Sequence, residues 1–283
     1  MEPLSSEQVI ACLKHLPALP AVVSKLLVSF DDEDVDVGQI ARQIAQDQSL
    51  TARVLRVANS SFYGLQSQIA TINEAIVVLG FRAVRNMVLG TSLGGMFQAE
   101  RCPQFDISEY VRHSIAVGLA ARALARETGH NMQSADLAFT GGILHDIGKL
   151  VLCACFSERY SAVLLSQGSH GSLPVEVERE LLGLDHAQIG GLLAEAWHFP
   201  TILREVVLAH HLTPTEIGTS IGDLIHVADA MAHGFVSHDD PAPITAAPDP
   251  KVWVRLGLDP EKLERVRERV ATEMEEVCMA FGV

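Results

Sequence analysis

Apolar residues recur with a period of about four from the first segment of this chain to the last, and no stretch shows the polar–apolar alternation of a half-buried strand. That single pattern restricts the chain to an all-α fold. With 283 residues, 48% of them hydrophobic, it can bury a sizeable core as one large domain or two modest lobes. Capping residues and breakers cut the periodic run into helices. The first part reads as helices over 6–13, 21–30, 37–46, 50–58 (with Ser49 or Asp47 as N-cap), 71–79 and 81–89, where Thr71 and Glu74 have capping-box spacing. The acidic loop Asp31-Asp32-Glu33-Asp34 reads as plain solvated charge.

Pro103 marks a connector over 98–108, which sets an N-terminal helical lobe, 1–97, apart from a second lobe, 109–236. In the second lobe Ser108 is expected to cap a helix through Arg126, and Ser134 a long helix running through His145. Further helices are expected over 175–182, 186–197, 202–211 and 221–231. The proline-rich stretch 237–250 reads as a linker loop. Asp259 and Pro260 then open a last helix whose apolar face, Leu263, Val266, Val270, Met274 and Val277, must dock on the body.

Bulk properties exclude several classes. A formal charge of −14 argues against broad phosphate-backbone binding, although Arg53, Arg56, Arg82 and Arg85 are close enough in sequence to form a local basic patch. No run approaches the roughly 20 apolar residues of a membrane span, and no secretory signal is visible, so the expectation is a cytoplasmic protein with no membrane partner. Five cysteines without CxxC spacing argue against a disulfide framework or a zinc ribbon. Cys153 and Cys155 read as small core residues, and the thiols as reduced. The string Gly90-Thr91-Ser92-Leu93-Gly94 matches a nucleophile elbow, but that motif needs a preceding strand, and the segment before it is helical.

The chemistry concentrates in the second lobe. Leu144-His145-Asp146-Ile147-Gly148-Lys149 places a histidine and a carboxylate side by side with a lysine a turn later. Glu109 and His113 are spaced i,i+4; His186, the doublet His210-His211 and Asp229 lie in otherwise apolar segments. Ionisable groups in such surroundings are costly to bury unless paired or bound to a metal. Glu109, His113, His145, Asp146, His186, His210, His211 and Asp229 form a mixed N/O set suited to iron, manganese or zinc, and two divalent transition-metal ions sharing Asp146 would nearly balance the three carboxylates. Lys149, with Asp146, would then serve catalysis if the protein is an enzyme, neutralising charge on a leaving phosphate. Adjacent histidines on a helix point about 100° apart, so one of His210 and His211 is expected to ligate unless ions lie between them. His226 reads as a hydrogen-bonded bystander. Gly141 and Gly142 point to close approach of a neighbouring helix one turn before His145.

The order His113, His145-Asp146, Asp229 resembles the HD superfamily of metal-dependent phosphohydrolases, and Glu109, His186 and His210-His211 resemble the fuller ligand set of its HD-GYP branch. The N-terminal lobe is similar to the HDOD family, the HD-related output domain of bacterial signalling proteins. The segments that carry this are Leu16-Pro17-Ala18-Leu19-Pro20, the run from Asp47 to Ser60, and Ala75-Ile76-Val77-Val78-Leu79-Gly80. The resemblance implies a two-lobed helical fold, a regulatory role exerted through signalling proteins, and in many members an incomplete ligand set. Here the set is complete. The doublet is followed by Leu212-Thr213-Pro214 with no Gly-Tyr-Pro loop, which argues against cyclic di-GMP hydrolysis. Two expectations follow: a signal-transduction output protein with a dinuclear metal site, or a phosphohydrolase taking a nucleotide, cyclic nucleotide or other phosphate ligand at that site.

Overall fold

The computed structural model describes residues 2–30, 35–60, 63–65, 67–93, 102–170, 174–212, 220–236 and 250–283. Among them are sixteen helices and no strand: α1 (Ser6–Leu13), α2 (Ala21–Val28), α3 (Val37–Gln46), α4 (Gln48–Ala58), α5 (Ile72–Leu79), α6 (Phe81–Leu93), α7 (Ile107–Glu127), α8 (Met132–Leu144), α9 (Ile147–Cys155), α10 (Ser157–His170), α11 (Pro174–Leu182), α12 (His186–Ala196), α13 (Thr201–Ala209), α14 (Ser220–Val236), α15 (Pro250–Leu256) and α16 (Pro260–Phe281). The acidic loop 31–34, the residues 213–214 after the histidine doublet, the first part of the connector (98–101) and the proline-rich stretch 237–249 lie outside the described residues.

Helix starts follow side-chain capping. Asp47, not Ser49, caps α4 by accepting from the Leu50 N–H at 2.9 Å, and Thr71 accepts from the Glu74 N–H at 3.1 Å. Two expected caps are displaced. Asp106, rather than Ser108, starts α7, its carboxylate accepting from the N–H groups of Ser108 and Glu109. Asn131, rather than Ser134, starts α8 by accepting from the Ser134 N–H. In both cases the serine lies inside the first turn, where it supplies a backbone donor to an Asx side chain further upstream. Two helices, α10 and α15, go beyond the sequence reading. The short α15 is held by the buried Val252 and by a fork from Arg255 to the buried Asp223 of α14, with its Nε 2.9 Å from Oδ2.

α7 is the central rod. It is buried along almost its full length from Tyr110 to Ala125 and is sheathed by α8, α14 and α16. Small residues let these helices close on it. A Cβ on Gly142 would stand 2.5 Å from the Gly118 nitrogen of α7, and one on Gly141 would stand 3.2 Å from Val206 Cγ1, so both glycines mark helix contacts as expected. On α16 the face Leu263, Val266, Val270, Met274 and Val277 is buried, and the helix docks on α7 and α4. Gly90, Thr91, Ser92 and Leu93 of the elbow-like string lie within α6, where the Phe281 ring fills the space a side chain on Gly90 would take; Gly94 lies outside the described residues. One sequence expectation is corrected: by length and composition Met132–Cys155 is apolar enough to cross a membrane, although 83% of its most apolar window is buried inside the protein as core.

The cysteine reading is corrected. Cys12 of α1 and Cys155 at the end of α9 form a disulfide across 143 positions, which no local spacing announces; Cys102, Cys153 and Cys278 are free and buried. Closing so long a loop restricts the unfolded chain. Cys12→Ser is therefore expected to cost about 2–4 kcal/mol, measured by urea unfolding without reductant. Unchanged midpoints would show that the bridge adds nothing.

Candidate metal centre

The helical path breaks at the key dipeptide. α8 ends at Leu144 with His145 as its C-cap, and α9 starts at Ile147 with Asp146 as N-cap at φ −93°, ψ 11°. The expected continuous helix is thus two helices. On an unbroken helix the adjacent His145 and Asp146 would diverge by about 100°; the break turns both inward. Lys149, in the first turn of α9, comes back to Asp146, its Nζ 2.5 Å from Oδ2. Likewise α13 stops at Ala209. His210 and His211 lie past its end, with ring centroids 4.1 Å apart, so the two need not point apart as they would on a helix.

Two groups of metal-capable side chains result, each with ligand atoms lying within 4.8 Å of one another: Asp146, His186, His210 and His211, and His113, His145 and Asp229. Asp146 straddles them. Its Oδ1 is 3.0 Å from His186 Nε2 and 3.5 Å from His210 Nε2; its Oδ2 is 3.4 Å from His145 Nε2 and 3.6 Å from His113 Nε2. His113 Nε2 is also 3.1 Å from Asp229 Oδ1, which joins α7 to α14. Glu109 is not brought in. It is exposed in the first turn of α7 and belongs to neither group.

Hydrogen bonding sets which nitrogens face the centre. His145 Nδ1 donates to Gly142 O at 2.7 Å and His210 Nδ1 to Val207 O at 2.8 Å, since a carbonyl can only accept. In the neutral rings Nε2 is then the nitrogen free to bind a metal. His226 donates to His210 O at 3.0 Å and steadies the doublet from behind, as a bystander. The sequence reading missed Glu178. This fully buried carboxylate accepts from His186 Nδ1 at 2.6 Å and from the His186 backbone N–H at 2.8 Å. Its only trace in the sequence is an acidic residue at a core position of α11.

These atoms fit cations. His145 Nε2 and Asp146 Oδ1 are buried without a hydrogen-bond partner. Around His186 Nε2 stand His211 Nε2 at 2.9 Å, His210 Nε2 at 3.2 Å and Asp146 Oδ1 at 3.0 Å. One N–H proton can point at one of these three acceptors; a metal ion takes all of them. Burial lowers the pKa of His113, His210 and His211, keeping them neutral donors. Burial would lower His186 as well, but Glu178 and Asp146 on either side outweigh it and raise it to about 9. Burial would raise Asp146 and Asp229, yet the surrounding histidines, with Lys149 beside Asp146, hold both well below the usual carboxylate range. Asp146 in turn raises the Lys149 amine against the effect of burial, so the lysine keeps its charge.

Comparisons with known proteins agree with this architecture. A protein from Shewanella amazonensis SB2B that carries a provisional phosphohydrolase name is 26% identical, with 97% of each chain covered and a TM-score of 0.74. A Marinobacter aquaeolei VT8 protein with a provisional signal-transduction name shares the fold at a TM-score of 0.78 and 23% identity, over 99% of this chain and 62% of that one. An uncharacterized protein of Treponema pallidum (strain Nichols) is 25% identical over 202 residues; the match takes in 71% of this chain and 39% of that relative. The profile of the HDOD domain matches residues 16–213, a span that takes in the His145-Asp146 break and the His210-His211 doublet. By that match this protein belongs to the HDOD domain family.

Proposed function

We propose that the protein is a signal-transduction output protein of HDOD type that holds two divalent transition-metal ions, iron or manganese before zinc, and acts through protein partners. The observation that carries the metal reading is the position of Asp146, one oxygen turned to each group of histidines. His186, His210 and His211 would hold one ion, His113, His145 and Asp229 the other, and Asp146 would serve both. Partner engagement is supported by Val77 and Val78 on α5, which are 84% and 52% exposed in the segment that carries the HDOD resemblance. Elemental analysis of protein purified with and without oxygen tests the centre: two equivalents of a transition metal per chain are expected, and none would end the proposal.

A second reading, a phosphohydrolase acting on a nucleotide or cyclic nucleotide, draws on Lys149. Its side chain is one-fifth exposed while that of its ion-pair partner Asp146 is 2% exposed, so the lysine is the more accessible member of the pair. It can meet an incoming phosphate and offset charge on a leaving group. Ions bound in the centre would supply Lewis acidity toward a phosphoryl oxygen. Hydrolysis of a cyclic dinucleotide, a nucleotide or a generic phosphodiester by manganese- or iron-loaded protein, abolished by Lys149→Met with metal content unchanged, would establish this reading. No turnover on any of them leaves the output role alone.

A further inference from the structure

The two halves of the centre are not built alike. The His113, His145 and Asp229 half owns a carboxylate and also has Asp146 Oδ2 3.4 Å from His145 Nε2 and 3.6 Å from His113 Nε2. The His186, His210 and His211 half has three imidazoles and only the shared Asp146, so a divalent ion there meets less negative charge. Behind that half stands Glu178. Its Oε2 takes two donors from His186, the backbone N–H at 2.8 Å and Nδ1–H at 2.6 Å, which pins both the tilt and the tautomer of the ring. The rings of His145 and His210 lean on neutral carbonyls instead. Glu178 is itself held in place from nearby: α11 and α12 are joined by a tight turn, and Arg179 next to it grips Asp185, the N-cap of α12, at 2.6 Å. Glu178 Oε1 has no hydrogen-bond partner although the residue is fully buried. A half-satisfied carboxylate in a core is costly unless positive charge lies close by.

We infer that Glu178 is a positioning residue for one ion of the pair, the ion held by His186, His210 and His211 with Asp146, and that it makes up through the His186 ring the negative charge this half lacks. The assignment rests on the two-ion reading above. A carboxylate behind a metal-bound histidine strengthens it as a ligand, and losing such a partner weakens metal affinity by about 10–100-fold. The rival explanation is an ordinary buried Glu178–His186 ion pair with no part in metal binding.

Glu178→Gln separates the two, because the amide oxygen can accept the same two N–H donors without the charge. Metal-stripped wild type and variant would be titrated with Mn²⁺, with bound metal counted by elemental analysis and affinity measured by chelator competition. Melting in excess chelator reports the fold without metal. Expected are two ions in wild type and, in Glu178→Gln, one ion at wild-type affinity and one weakened by about 10–100-fold. His186→Ala is expected to lose that same ion. Glu178→Asp, which keeps the charge but draws it back, should weaken it less; it is measured in the same way if the glutamine variant does not fold. Two ions at wild-type affinity in Glu178→Gln overturn the inference. So does equal weakening of both ions with a lower melting temperature in chelator, which would make Glu178 a fold residue only. Wild type that binds no Mn²⁺ overturns the two-ion reading, and this assignment with it.

Discussion

If the centre holds the proposed pair of ions, Asp146→Asn is expected to abolish binding of both at once, whereas Asp229→Asn removes one. Asp146 is the only carboxylate in the four-residue group, and its second oxygen reaches the other group, 3.4 Å from His145 and 3.6 Å from His113. An amide keeps the volume but removes the charge and one of the two acceptor oxygens, so it cannot serve two cations. It also leaves the Lys149 ammonium beside a neutral neighbour. Breaking a mostly buried pair from one side costs about 3–5 kcal/mol, less here because the lysine is one-fifth exposed and partly solvated. Elemental analysis of both variants, with melting in chelator to follow the fold, checks the expectation. Retention of one full equivalent by Asp146→Asn would show that the carboxylate does not bridge.

Gly148→Ala is expected to damage fold and centre together. Gly148 lies two residues after Asp146, and a Cβ there would collide with the His186 carbonyl oxygen and stand 2.7 Å from the Gly190 nitrogen on α12. Both are backbone atoms, so α9 and α12 would have to move apart. Overpacking of this kind costs about 3 kcal/mol, or a fall in Tm of roughly 6–12 °C for a chain of this size. The same movement draws Asp146 away from His186, now 3.0 Å distant, so metal retention should fall as well. Gly129→Ala is the control: a Cβ there meets nothing, and only its φ of +78° opposes the change, at about 1 kcal/mol. Equal melting temperatures for the two variants would show that the α9–α12 contact has slack.

The misses share a cause. Glu178 is one acidic residue among several in 174–182, and nothing in that segment says that it faces His186 rather than solvent. Glu109 has ideal i,i+4 spacing to His113, but spacing places two residues on one helix face without saying where that face points; the first turn of α7 projects beyond the core. The break between His145 and Asp146 is similarly hidden, because Ile147-Gly148-Lys149-Leu150 continues the apolar period of α8. α10 and α15 are not legible in the sequence because neither carries a long apolar stripe, and α15 is held by the buried Val252 and by the Arg255–Asp223 fork to another helix.

What the sequence determined by itself was what depends on neighbours a few residues away: helix against strand, the caps at Thr71 and Asp259, the buried face of α16, the small residues where helices close, and the inventory of imidazoles and carboxylates. These follow from backbone geometry and short-range hydrogen bonds, which any local segment carries within itself. Only the tertiary structure decided that Asp146 faces two groups, that Glu178 backs His186, that Glu109 stays outside and that Cys12 meets Cys155. Those contacts join residues from about eight to more than a hundred positions apart, and their partners are chosen by how whole helices pack around α7.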